Sequence, residues 1–274
     1  MRALRFLLYC AALIAIMLAG IPAFAEQNGN DNVGTWAKFS VKNPLIKKVY
    51  FVNFSGDYRG EPNKDVNNGS GFVLKVENCF YFSTAAHVVG DSTSDFDGDT
   101  HTFTFQDYAG NKFDTFPAIV FWDIDLAVFT LANDNDAKNI DPKTIVTTIS
   151  AIDTDEPAFS CGFDIGDAQA LFPACFDTHV MAKLPHVVVG SEKSFTIKYI
   201  IAIGNSIERG FSGGPAFNSK GELIGMNVAI SSTGKFGYLE NGMAIKKAIE
   251  KFHAYRRAQE KEMEKTEQQS SESP

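Results

Sequence analysis

Three short segments hold residue types that together could carry nucleophilic catalysis. The first is Gly210-Phe211-Ser212-Gly213-Gly214-Pro215, a serine set among glycines. A serine hydroxyl is a weak nucleophile until a base within hydrogen-bond reach takes its proton. It also needs backbone N–H groups aimed at the oxyanion that forms on the attacked carbonyl, and Gly210 and Ser212 are the natural donors. Taken alone, a glycine-rich loop with a serine is more often only a turn.

The second segment, Ser83-Thr84-Ala85-Ala86-His87-Val88-Val89, puts a histidine after small residues at the end of an apolar strand, where an imidazole can face a cleft. His101, His179, His186 and His253 have no comparable setting and read as structural or solvated. The third segment, Trp122-Asp123-Ile124-Asp125-Leu126-Ala127-Val128, leads an acid into an apolar strand. A carboxylate there can orient a histidine and stabilise its charged form. Asp123 and Asp125 alternate along what reads as one strand, so spacing leaves both open.

The surrounding elements read as all-β. Short apolar or alternating runs stand at Val49 to Phe54, Gly71 to Val76, Phe80 to Ser83, Thr102 to Gln106 and Leu126 to Leu131. Others stand at Ile145 to Ile152, His186 to Val189, Phe195 to Ile203 and Leu223 to Ile230, all divided by Gly, Asn, Asp and Pro. Many short strands with frequent turn signals indicate a sandwich or barrel. A division is expected in the polar stretch 133–143. From Met243, the positions Ile245, Ala248, Ile249 and Phe252 follow helical spacing. Residues 256–274 are mostly charged and polar, so the helix is expected to fray there into a disordered tail.

In this order the segments resemble the chymotrypsin/trypsin-like serine peptidase superfamily, together with Gly69-Ser70-Gly71-Phe72-Val73. Gly221-Glu222-Leu223-Ile224-Gly225 and Gly242-Met243-Ala244-Ile245 are similar to the bacterial HtrA-like branch, here without a PDZ domain. The resemblance covers about residues 45–255. It implies two antiparallel six-stranded β-barrels, the first over about 45–135 and the second over about 143–242, with a C-terminal α-helix from 243. It implies His87, Asp125 and Ser212 as the triad and selects Asp125 over Asp123, since the family's orienting Asp directly precedes the Leu-Ala strand. It places the oxyanion hole at the Gly210 and Ser212 N–H groups and the specificity pocket near Ser206. Phe211 departs from the family, whose digestive members carry there an Asp that pairs with a newly cut N-terminus. The implied activity is a serine endopeptidase acting on polypeptide through an acyl-enzyme; the alternative is a catalytically silent protease fold used for binding.

Composition narrows the setting. The 274 residues are 45% hydrophobic and include 24 Phe, enough for a sizeable core. The net charge of −8, without a basic patch, argues against nucleic acid as a partner. Arg2 and Arg5, an apolar run to Gly20 and Ala23-Phe24-Ala25 have the form of a signal peptide over residues 1–25, with a secreted or periplasmic destination. An uncleaved anchor is the other reading of that run; after cleavage no membrane partner is expected. Cys161 and Cys175 suit either a disulfide across a short loop or two buried thiols, with Cys79 left over. No cofactor or metal is implied. Asp95-Phe96-Asp97-Gly98-Asp99 has the look of a calcium loop but lacks a closing Glu, and reads better as a solvated acidic turn.

Overall fold

The computed structural model describes residues 43–55, 68–89, 102–165, 171–189, 195–204 and 207–271. The suggested signal peptide, the Asp95–Asp99 turn and Ser206 lie outside them.

The first barrel is built from β1 (Tyr50–Ser55), β2 (Asn68–Val76), β3 (Cys79–Ala85), β4 (Thr102–Gln106), β5 (Lys112–Phe121) and β6 (Leu126–Leu131). These run in the order β1-β4-β5-β6-β3-β2, and pairing of β1 with β2 closes the ring. All six contacts are antiparallel. Alternation sets the faces: in β5, Phe113 and Thr115 are buried while Lys112, Asp114 and Phe116 face out. The inward set is largely aromatic, with Phe72, Phe82, Phe103, Phe105, Phe113 and Phe129 fully or almost fully buried. Phe103 and Phe129 have ring centroids 4.8 Å apart, and Phe82 and Phe105 are 5.1 Å apart in an edge contact. Offset and edge geometries of this kind suit the ring quadrupoles.

The second barrel comprises β8 (Pro157–Ile165), β9 (Leu171–Val189), β10 (Phe195–Gly204), β11 (Pro215–Asn218), β12 (Leu223–Ile230) and β13 (Phe236–Asn241). It closes in the order β10-β13-β12-β11-β8-β9. Cys161 and Cys175 face each other across β8 and β9 and form a disulfide; Cys79 is free. Val180, Ile201, Ile203, Ile224 and Leu239 fill this barrel. A larger cluster joins the barrels, combining the first barrel's aromatics with Ile200, Phe217, Met226 and Val228 of the second.

One expectation needs correction and one boundary can be drawn more finely. The two-residue β7 (Ile145–Val146) pairs in parallel with β2 and extends the first sheet. Residues 148–150 then pair with Leu223 of β12, so the chain enters the second barrel just after β7, and its closed ring begins at Pro157. The terminal helix does not stop near Tyr255: α1 runs from Gly242 to Ser271. Its first half is held by packing, with Ile245, Ile249 and Phe252 buried. Its second half is rich in Ala, Glu, Lys, Gln and Met, which lose little rotamer freedom in a helix. An Arg256–Glu260 pair at 3.3 Å adds the favoured i,i+4 spacing. Local propensity therefore carries the helix where burial no longer does.

Candidate active site

His87 lies in the single 3-10 turn Ala86–Val88 that ends β3, and Asp125 lies where the turn Trp122–Ile124 enters β6. The pairing of β3 with β6, Ala85 opposite Leu126, brings these two strand ends together. Asp125 Oδ2 accepts from His87 Nδ1 at 2.7 Å, and Oδ1 accepts from the His87 backbone N–H at 2.9 Å. The Asp125 carbonyl accepts from Ala86 N–H at 2.9 Å. One residue thus fixes both the backbone and the ring of the histidine. Asp125 is fully buried, whereas the His87 side chain is 31% exposed, so the imidazole has one covered edge and one open edge. Burial opposes charge on His87, but the charge of Asp125 and its hydrogen bond outweigh it and raise the imidazole pKa above its ordinary value.

The pattern reading of Asp123 and Asp125 as alternating residues on one strand does not hold. The turn breaks the alternation, and Asp125 takes a left-handed conformation, φ 47° and ψ 41°. Asp123 points elsewhere, exposed, with its carboxylate 3.6 Å from Lys198 Nζ.

Ser212 sits in the turn between Ile207 and β11. Gly210 and Gly213 have φ of 96° and 84°, which L side chains rarely adopt. A Cβ on Gly213 would also strike Ser70 O and Thr84 Oγ1, so the turn lies directly on the end of β3, close to His87. Ser70 holds this turn from the first barrel. Its N–H donates to Ser212 O at 2.8 Å, its hydroxyl donates to Gly210 O at 2.7 Å, and the same oxygen accepts from Phe163 N–H at 2.7 Å. Asn227 holds it from below. Its carbonyl accepts from Gly213 N–H and its N–H donates to Gly214 O, both at 2.8 Å. The Asn227 side chain is anchored by Ser160 Oγ and Cys161 O.

These bonds fix the direction of the peptide before Ser212. Phe211 O accepts from Gly214 N–H at 2.8 Å, so the Ser212 N–H on the same peptide plane points the opposite way. Among the described residues neither Gly210 N–H nor Ser212 N–H has an acceptor. A pinned loop with donors left free in this way can receive a developing oxyanion.

Phe211 is held by packing. Its ring is fully buried in the second barrel and stacks on Phe176, with centroids 5.5 Å apart and planes 11° apart. It fits because residue 162 is glycine: a Cβ there would come within 2.6 Å of the Phe211 ring. Gly162 and Phe176 each follow one half of the disulfide. Sequence reasoning missed this seat, along with Ser70 and Asn227 as holders of the loop. Ser70 stood inside a segment already singled out by resemblance, but nothing local marked Asn227, Gly162 or Phe176.

Comparison with known proteins bears on the family and the fold. Residues 69–226 match the family model of the trypsin-like peptidase domain. No curated protein matches the chain by sequence. Among solved structures, the chain is similar to the active form of the Rv3671c protease from M. tuberculosis, with TM-score 0.54 and 15% identity, over 81% of this chain and 88% of that one. It is also similar to the serine endoprotease from Yersinia pestis, with TM-score 0.54 and 18% identity, over 77% of this chain and 65% of that one. At these identities the likeness speaks for the fold.

Proposed function

The chain belongs to the trypsin-like peptidase family, and on that premise we propose that it is a serine endopeptidase with Ser212 as nucleophile, His87 as general base and Asp125 as the residue that orients the base. The observation that carries this reading is the double hydrogen bond of the buried Asp125 to His87, ring and backbone together. With Nδ1 bound to Asp125, the other ring nitrogen is left as the proton acceptor, which is the tautomer a serine nucleophile needs.

His87 takes the Ser212 proton as Oγ bonds to the substrate carbonyl carbon, and the carbonyl π electrons move onto oxygen. The N–H groups of Gly210 and Ser212 meet that oxyanion. As the tetrahedral centre collapses, His87 gives its proton to the departing amine and an acyl-Ser212 ester remains. Water, deprotonated by His87, attacks the ester; collapse releases the carboxyl product and returns the proton to Ser212. Asp125 stays ionised throughout and stabilises each imidazolium.

We also infer export to a secreted or periplasmic location, supported by the signal-like residues 1–25 and by a disulfide of the kind that persists in oxidising compartments. The competing reading, a silent binding protein, rested on Phe211; the apolar seat of that residue supports the enzymatic reading over it. Labelling with a serine-directed fluorophosphonate tests the proposal: wild type should be labelled and Ser212→Ala should not. Absence of labelling in folded wild type, at every pH from 6 to 9, sinks the enzymatic reading.

A further inference from the structure

The turn that delivers Asp125 has an outer side that the catalytic reading does not use. An open groove of about 450 Å³ lies between Phe121 at the end of β5, Ile124 of that turn, Tyr199 on β10, and Met243, Lys247 and Lys251 on α1. Three features set it apart from ordinary surface. Tyr199 is 60% exposed and Met243 43% exposed, so large apolar groups face water together. Tyr199 also has φ 62°, a conformation a bulky residue seldom takes, and the groove is where that backbone is found. Finally, Lys247 and Lys251 stand one helical turn apart on the rim, and among the described residues neither lies within ion-pair distance of a carboxylate. Asp123 lines the groove as well, but Lys198 already pairs with it.

Two unpaired ammonium groups over an apolar floor, on a chain whose net charge is −8, define the complement. We propose that this groove docks a segment of a partner polypeptide that carries a bulky apolar side chain flanked by carboxylates. The apolar side chain fills the space between Phe121, Tyr199 and Met243, and the carboxylates meet Lys247 and Lys251. The floor of the groove is the turn that ends in Asp125, so an occupant braces the backbone that holds the His87 partner. Docking itself is independent of the hydrolytic reading.

The test uses full-length Ser212→Ala, which cannot consume the probe. A fluorescein-labelled Gly-Asp-Leu-Phe-Glu-Asp peptide is titrated and followed by anisotropy. Saturable binding is expected. It should weaken about tenfold or more in the Lys247→Glu/Lys251→Glu variant and persist in Lys247→Arg/Lys251→Arg. It should also fall with rising salt, because exposed charges are screened. A control peptide with Asn and Gln in place of the acids should bind at least tenfold more weakly, and so should one with Ser in place of Leu and Phe. Four results overturn the proposal: no saturation at millimolar protein, equal affinity for the Glu variant, loss of probe binding in wild type whose Ser212 has been capped by a peptide aldehyde, or a groove-dependent dimer in sedimentation that excludes the probe. Both lysines are exposed on an otherwise intact helix, so matched melting curves confirm that the variants are folded.

Discussion

Replacing Glu240 by Gln should make the protein more stable, and by an amount that grows with pH. Glu240 sits on β13 opposite Ile200 of β10 and Met226 of β12, both members of the apolar cluster between the barrels. It is fully buried, and neither carboxylate oxygen makes a hydrogen bond of good geometry. Burial pushes its pKa up to about 10; the Asn241 N–H offsets this only in part, and the charges of Asp125 and Asp123 push the same way. The native chain therefore keeps a proton that the unfolded chain, titrating at 4.5, gives up. Below pH 4.5 both states hold the proton and there is no penalty. Between 4.5 and about 10 stability declines by about 1.4 kcal/mol per pH unit, so at pH 7 the penalty is roughly 3 kcal/mol. Gln keeps the shape and never ionises. Urea denaturation of wild type and Glu240→Gln at pH 4.5, 6, 7 and 8 should give curves that nearly coincide at the lowest pH. The gap should reach roughly 3 kcal/mol at pH 7, on the order of 10 °C in Tm for a chain of this size. A constant difference across that range, or a variant less stable at pH 7, would refute a proton-holding Glu240.

Further outcomes follow from the site. Asp125→Asn should fold yet lose about 10⁴-fold in kcat: its amide oxygen can still accept from the His87 backbone N–H, but the NH2 then faces Nδ1 and selects the wrong tautomer; hydrolysis of a peptide anilide measures it. In wild type, the acid limb of kcat/KM should lie above the ordinary histidine value of 6.5, since Asp125 holds the proton on His87 to higher pH and only the neutral ring acts as base. Phe211→Ala should cost about 3–5 kcal/mol of stability as a buried aromatic is lost, with a fall in kcat larger than any rise in KM as the donor loop loosens. His253→Ala should cost about 1–3 kcal/mol in urea titrations. It removes the buried 2.7 Å bond between His253 Nδ1 and the Tyr81 hydroxyl that ties α1 to β3.

What could be read from the chain was the candidate segments and their order. Ser212, His87 and the glycines beside them are local in sequence, and the alternation of β5 or the i, i+4, i+7 spacing of Ile245, Ile249 and Phe252 is equally local. What could not be read depends on partners far away. Asp125 was separable from Asp123 only by resemblance, since a 3-10 turn and a strand share the same few letters there. The worth of Phe211 depends on Gly162 and Phe176, 49 and 35 positions earlier, and that of Asn227 on bonds to Gly213 and Gly214 across a strand pair. Glu240 looked like an ordinary strand residue because register, not composition, turns it toward the seam between barrels.

Asp125 carries one consequence beyond its bond to His87. Its left-handed backbone, φ 47°, favours the residues that adopt it at least cost, Gly, Asn and Asp. Orienting a histidine as an ionised acceptor restricts it to Asp and Glu. The two alphabets overlap in a single letter. Glu would keep the charge and strain the turn, while Asn would keep the turn and lose the charge, so each one-step compromise surrenders one of the two requirements.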